Sequence, residues 1–319
     1  MPEPVRPIAL GDIEEARERI AGTVLRTPLV KLDAGADAPE IYLKLENLQP
    51  TNAYKIRGGA NAVARLSDEQ RARGVWTISA GNAGQGVAYA ARAFGVPCTV
   101  VAIETAPQTK LDRMRALRAE IVPVSYEIAW CAAEAHEFEG MDGTFVHPFD
   151  NHDFIVGHGT MGLEIVEELP EVRTVIAAIG GGGLITGVGS AVKALKPDVK
   201  VIGAEPETAA PYAYSLAHGG PQRFPGWEAS FVDGAGGKSV TERMWQRMQP
   251  VVDGTITVTL DETRAAMRLI AEKARAVSEG AGALALAAAL TGKAGEGPIV
   301  CVVSGGNIDL DKFAELVAV

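Results

Sequence analysis

Lys55 is the residue that most invites chemistry, in the run Thr51-Asn52-Ala53-Tyr54-Lys55-Ile56-Arg57-Gly58-Gly59. It stands where a helix should begin, and a cation is out of place there because a helix N-terminus already carries positive potential. Such a lysine is either a solvated surface group or an amine of lowered pKa, ready to form a Schiff base with a carbonyl carbon. Three glycine-rich corners offer partners. Ser79-Ala80-Gly81-Asn82-Ala83-Gly84-Gln85-Gly86 follows GVWTIS and opens an alanine-rich segment. Small residues at a helix start leave N–H groups open to a carboxylate or phosphate, unless Ser79 or Asn82 caps them. Gly180-Gly181-Gly182-Gly183-Leu184 follows RTVIAAI. Four consecutive glycines cost backbone entropy, and close approach of amides to an anion such as phosphate is the benefit that offsets it. The run reads GGGGLI over 180–185, so it is not G-x-G-x-x-G, and no Lys-Ser/Thr follows to make a P-loop. Ser304-Gly305-Gly306-Asn307-Ile308-Asp309 follows PIVCVV. It either aims a hydroxyl into a crevice or forms a turn and cap with Asn307 and Asp309.

The elements that must position these corners are short Val/Ile-rich runs: IYLKLE, GVWTIS, CTVVAI, EIVPVS, RTVIAAI, VKVIGAE and PIVCVVS. Helical spacing lies between them. Residues 12–21 put Ile13, Ala16 and Ile20 on one face, and residues 260–290 suggest two helices broken near Glu279-Gly280. Strands alternating with helices predict an α/β fold with largely parallel sheets covered on both faces, and seven or more units predict two sheets. The last three corners lie at carboxyl ends of strands, where open α/β sheets bind ligands. The stretch from 219 to 238 is the least regular, and a loop of that length usually covers a site or moves.

The chain has 319 residues, 47% of them hydrophobic, enough for one large domain or two smaller ones. A net charge of −10 with no basic block argues against nucleic acid as a partner. Cys98, Cys131 and Cys301 are widely spaced and odd in number, which fits free thiols in a reducing compartment. The N-terminus has early acids and no apolar core of a signal peptide, and no run approaches the roughly 18 apolar residues of a membrane span. A cytoplasmic protein without membrane contact is the expectation.

The motifs together resemble the serine/threonine dehydratase group of fold-type II pyridoxal-phosphate enzymes, which includes serine racemase. The likeness runs nearly end to end, through TPLVKL, KLENLQPTNAYKIRGG, SAGNAGQGVAYAAR, GGGGLITGV and SGGNID, in matching order and spacing. The resemblance implies two open, twisted, mostly parallel sheets (tryptophan synthase β-like), with a small domain over 51–145 and a large one from 1–50 and 146–319. It implies pyridoxal 5'-phosphate as cofactor, held by Lys55 as a Schiff base, with Lys55 also moving protons at the substrate Cα. Tyr54 should lie beside the cofactor, Asn82 should bond the pyridine 3-oxygen, and Ser304 should face the pyridine nitrogen. Gly180, Gly181, Gly182, Gly183 and Leu184 should bind the phosphate through backbone N–H groups, and Glu279 should lie near the cofactor. Ser79, Ala80, Gly81, Asn82 and Ala83 should form the substrate loop, with Ser79, Gly81 and neighbouring amides on the carboxylate. A neutral hydroxyl at the ring nitrogen suits β-elimination. The implied reaction converts an L-β-hydroxy amino acid to a 2-keto acid and ammonia, and a homodimer is implied too.

The departures are informative. The family usually has Phe where Tyr54 stands and His where Ala83 stands; both change the walls near the substrate, and the lost imidazole at Ala83 makes room for a larger β-substituent, as in 3-phenylserine. Ala80 replaces the serine that reprotonates the opposite face in racemases, so racemization should be weak or absent. Glu205-Pro206 is followed by Pro211 where the racemase metal site has a carboxylate, so no divalent metal is expected there. The chain stops at Val319, soon after SGGNID, which implies no regulatory domain. Two alternatives stand beside elimination: β-replacement or racemization on the same fold, and a non-catalytic nucleotide-binding protein. The set Lys55, Asn82 and Ser304 speaks against the last, since a nucleotide site has no need of it.

Overall fold

The computed structural model describes residues 4–36, 38–106 and 108–318. Among them the strands are β1 (Leu29–Leu32), β2 (Ile41–Leu45), β3 (Val75–Ile78), β4 (Cys98–Ile103), β5 (Glu120–Val124), β6 (Thr144–Phe145), β7 (Thr174–Ala178), β8 (Lys200–Pro206), β9 (Gly254–Val258) and β10 (Ile299–Val303). The first half holds helices α1 (Leu10–Ile20), α2 (Lys55–Ala64), α3 (Asp68–Arg73), α4 (Asn82–Phe94), α5 (Gln108–Ala116) and α6 (Tyr126–Ala135). The second holds α7 (His152–Glu168), α8 (Gly183–Leu195), α9 (Pro211–His218), α10 (Glu242–Met248), α11 (Leu260–Leu269), α12 (Gly280–Leu290) and α13 (Leu310–Val317).

The strands form two sheets. The six-stranded one has the order β1-β2-β10-β7-β8-β9, and the four-stranded one the order β5-β4-β3-β6. Every pairing is parallel except β1 with β2, at the edge. The central strands β7 and β10 are buried at every position, as strands covered on both faces must be. Alternate residues feed two cores. Ile176, Cys301 and Val303 pack with α12 on one side, while Val175, Val300 and Val302 pack with α8 on the other. A third core, of α2 and α4 residues with Val100 and Val75, belongs to the smaller sheet.

The predicted helices form where the apolar spacing put them. α1 buries Ile13, Ala16 and Ile20. The 260–290 segment is two helices, α11 and α12, separated by a π turn over Ile270–Ala274 and a link in which Arg275 is left-handed, with Glu279 at the N-cap of α12. The irregular stretch at 219–238 contains one short 3-10 turn, Asp233–Ala235. The smaller sheet lies within 75–145 and the larger one draws on 29–45 and 174–303. The carboxyl ends of β3, β7 and β10 meet at one cleft.

Candidate active site

Lys55 is the first residue of α2, and Tyr54 precedes it at an N-cap with no side-chain hydrogen bond. The Lys55 Nζ donates to the Pro148 carbonyl at 2.6 Å. It also lies 5.2 Å from the centre of the Tyr54 ring and 5.4 Å from that of Phe154. These walls strip water from the amine, and the loss of solvation lowers its pKa to about 7. The same burial raises the Tyr54 phenol and keeps the His158 ring, 4.7 Å from Tyr54, well below its ordinary value.

Arg57 anchors the helix that carries Lys55. It is buried and bonds both oxygens of Glu46, at 2.8 Å each, and both oxygens of Glu164, at 2.7 and 2.9 Å. Lys44 adds a second cation to Glu164 at 2.7 Å. A guanidinium forked between two carboxylates fixes the start of α2 against α7. The carbonyl that receives Lys55 is set by the next turn. The His147 Nδ1 accepts the N–H groups of Phe149 and Asp150 at 3.2 and 2.9 Å, and Asp150 pairs with Arg243 and Arg247.

The glycine corner after β7 opens α8 with Gly182 at the N-cap, φ +86°, and no side-chain cap. Its first N–H groups therefore stay open toward the cavity. A Cβ at Gly181 would strike the Phe149 ring, and one at Gly183 would lie 2.8 Å from the Phe149 carbonyl. Gly180, Gly181, Gly182, Gly183 and Leu184 line a narrow recess of about 30 Å³ with Lys55, Tyr54 and Ser304. The corner after β3 opens α4 with Gly81 at the N-cap, again without a side-chain cap. Neither Ser79 nor Asn82 caps the helix. The Ser79 Oγ instead accepts the Gly81 N–H at 3.1 Å.

Asn82 is turned across the cleft. Its Nδ2 donates to Glu279 Oε1 at 2.7 Å and its Oδ1 accepts from Asn307 Nδ2 at 2.8 Å. Burial, with Asp233 nearby, pushes the Glu279 carboxyl up to about 7. Asn307 thus ties Thr51 and Asn82 together, and Asp309 sits at the N-cap of α13 without a side-chain bond. Ser304 is buried, with its Oγ 3.4 Å from the Ala281 carbonyl. Lys55, Tyr54, Ser79, Ala80, Gly81, Asn82, Ala83, Gly180, Gly181, Glu279 and Ser304 all border one cleft of about 490 Å³. A shallower depression of about 560 Å³, at the amino ends of β7 and β8, holds none of them.

The donor set fits pyridoxal phosphate. An uncapped helix start suits a phosphate dianion, the amine of Lys55 suits an aldehyde carbon, and the buried Ser304 hydroxyl suits a ring nitrogen. Glu205, beside Pro206, is otherwise engaged. Its carboxylate accepts from the N–H groups of Tyr212 and Ala213 at 2.7 and 2.8 Å and from Thr255 Oγ1 at 3.2 Å.

Several cleft residues escaped the sequence reading. Pro148 and Phe149 sit in a turn with no glycine signal, and Trp130 lies on an ordinary amphipathic helix. Lys110 bonds Asp233 at 2.9 Å across the cleft mouth, a pairing of residues 123 positions apart that no local pattern encodes. Arg57 was visible in the lysine motif, but its partners Glu46 and Glu164 carry no motif.

The profile of a family described as pyridoxal-phosphate dependent enzyme matches residues 20–305. The chain is 40% identical over 315 residues to an L-threonine ammonia-lyase of Thermotoga maritima, covering 97% of this chain and 78% of that one. It is 36% identical over 326 residues to a catabolic L-threonine dehydratase of Staphylococcus aureus, covering 97% and 92%. Among solved structures it resembles maize serine racemase, with TM-score 0.89, 32% identity and 97% of each chain covered. It also resembles a T.th. threonine deaminase, with TM-score 0.87, 36% identity and 94% and 99% covered.

Proposed function

The chain belongs to the family of pyridoxal-phosphate dependent enzymes, and from that premise we propose that it acts on an L-β-hydroxy amino acid of the threonine and serine type. The β-hydroxyl leaves by elimination, and the enamine so released hydrolyses to a 2-keto acid and ammonia. The observation that carries this reading is the Lys55 amine, with a pKa of about 7, set between two uncapped helix starts. The names of the Thermotoga and Staphylococcus relatives support it.

When bound, pyridoxal phosphate supplies an electron sink for the pair left at the substrate Cα. The chain supplies the rest. The N–H groups at the start of α8 hold the phosphate, and those at the start of α4, with Ser79, hold the substrate carboxylate. Lys55, whose burial favours the unprotonated amine, takes the Cα proton as a base. Ser304 offers a neutral hydroxyl to the ring nitrogen. The opposite face of the substrate meets Ala80, which has no proton to give, so net stereochemical inversion is disfavoured. Lys110 and Asp233 join the two walls of the cleft, and their closure would exclude water. The small unit over 51–145 and the large unit of 1–50 and 146–319 form these walls in this reading, in line with the sheet memberships. The free thiols of Cys98, Cys131 and Cys301 agree with a reducing, cytoplasmic setting.

The test is product analysis on the enzyme loaded with pyridoxal phosphate. Keto acid and ammonia in equal amounts from L-threonine or L-serine support elimination. D-serine as the main product, or a thioether formed with an added thiol, would replace it with racemization or β-replacement.

A further inference from the structure

One end of the cleft is bordered by α6 and by the residues that follow β4. α6 begins at an N-cap in which Ser125 Oγ accepts the Ile128 N–H at 3.3 Å, and it buries Ala129 and Ala132. Ala129 packs in the small core that Ile103 borders. This seating leaves Trp130, 38% exposed, with its indole lining the same cavity as Lys55. Ala83, Ile103 and Ala106 line it as well, so small side chains stand with Trp130 in a cleft whose other large rings are Tyr54 and Phe149. The exposed part of Trp130 is thus available to a ligand in the cleft.

Trp130 has ring and cation contacts around it. Its ring stacks on Tyr126 one turn away, with centroids 6.4 Å apart and planes at 15°. Lys238 lies 5.0 Å from the Tyr126 ring centre and 4.2 Å from that of Trp227, clamping α6 to the loop of 219–238. The Trp227 Nε1 donates to the Gly236 carbonyl at 3.0 Å and fixes that loop in turn. The cations at this end are occupied: Lys110 by the Asp233 carboxylate, and Lys238 by two ring faces. A cleft of about 490 Å³ has room beyond a cofactor for more than a methyl group.

We infer that the Trp130 wall is the side-chain pocket of the substrate and that it takes an aromatic β-substituent, as in a 3-aryl-serine. This rests on the elimination reading for the reaction but on the wall alone for the specificity. A phenyl ring at Cβ would lie against Trp130 and Ile103 in the space that Ala83 leaves. Offset or edge contact between rings then adds selectivity beyond the area buried.

Calorimetry of the holoenzyme with L-phenylalanine and L-2-aminobutyrate tests it, because both lack the β-hydroxyl and bind without eliminating. Phenylalanine should bind about fivefold to tenfold more tightly. Trp130→Ala should erase that ratio, and Trp130→Phe should restore most of it. The visible absorbance of each variant reports a loaded, folded enzyme. Catalytic efficiency should follow the same order, with phenylserine turned over more efficiently than threonine by the parent and the advantage lost in Trp130→Ala. A phenylalanine ratio at or below one, a ratio indifferent to Trp130→Ala, or hydroxyaspartate as the best substrate would overturn the assignment. Absence of keto acid from all three substrates would overturn the elimination reading instead, while the binding ratio still decides the pocket.

Discussion

The Asn82 carboxamide spans the cleft, giving its Nδ2 proton to Glu279 Oε1 at 2.7 Å while its Oδ1 takes one from Asn307 at 2.8 Å. The start of α4 is thereby tied to the starts of α12 and of the segment after β10. Glu279 is the titrating member. Its carboxyl, ordinarily near 4.5, is pushed up to about 7 by burial. A raised native pKa means that the folded protein holds a proton the unfolded chain has released. The contribution is full below pH 4.5 and lost as pH rises through 7. Urea unfolding of the cofactor-free protein should show it. Between pH 5 and pH 8 the parent should lose on the order of 2 kcal/mol relative to Glu279→Gln. Parallel pH curves for the two proteins would remove Glu279 as the titrating group.

Lys55 gives a second pH dependence. Its amine is nucleophilic only when unprotonated, and its pKa is lowered from 10.5 to about 7. Capture of pyridoxal phosphate by the cofactor-free enzyme, followed by stopped-flow absorbance, should level off above pH 8 and fall about tenfold per unit below pH 7. A rate still climbing toward pH 10 would show an ordinary, solvated lysine.

Arg57 is the structural support of the site. Removing it leaves Glu46 and Glu164 buried against each other, with Lys44 the remaining nearby cation. Breaking such a pair from one side costs about 3–5 kcal/mol. Arg57→Met should therefore lower the unfolding free energy by about that amount and weaken cofactor binding with it, because the start of α2 loses its anchor. An unchanged denaturation midpoint would show that the network contributes little.

Gly182 tests the phosphate corner. Its φ of +86° is strained for any residue with a Cβ, and that atom would lie 2.7 Å from Met248 Sδ. Gly182→Ala should cost about 1–2 kcal/mol from the backbone alone. It should also shrink the thermal stabilisation that pyridoxal phosphate confers. A full cofactor-induced shift in melting temperature would place the phosphate elsewhere.

The three glycine-rich corners after β3, β7 and β10 were legible because each follows an apolar run, the signature of a strand ending at a ligand crevice. The buried face of α1 and the break before Gly280 were legible from periodicity for the same local reason. The strand order was not. β10 lies between β2 and β7, an arrangement fixed by contacts more than a hundred residues apart. β9, with three polar or glycine positions in Gly254–Val258, and the two-residue β6 lacked an apolar run to announce them. Phe149 and Trp130 entered the cleft through a turn and a helix whose sequences look ordinary. Their meaning appears only when the fold brings them to the cleft that Lys55 also borders.

The central claim is that Lys55 carries the cofactor. Borohydride reduction of the loaded enzyme, followed by protease digestion and mass spectrometry of the peptides, tests it most directly. The account predicts one phosphopyridoxyl group per chain, on the peptide containing Lys55 and absent from Lys55→Ala. A label on another lysine, or none on a protein saturated with pyridoxal phosphate, would contradict it.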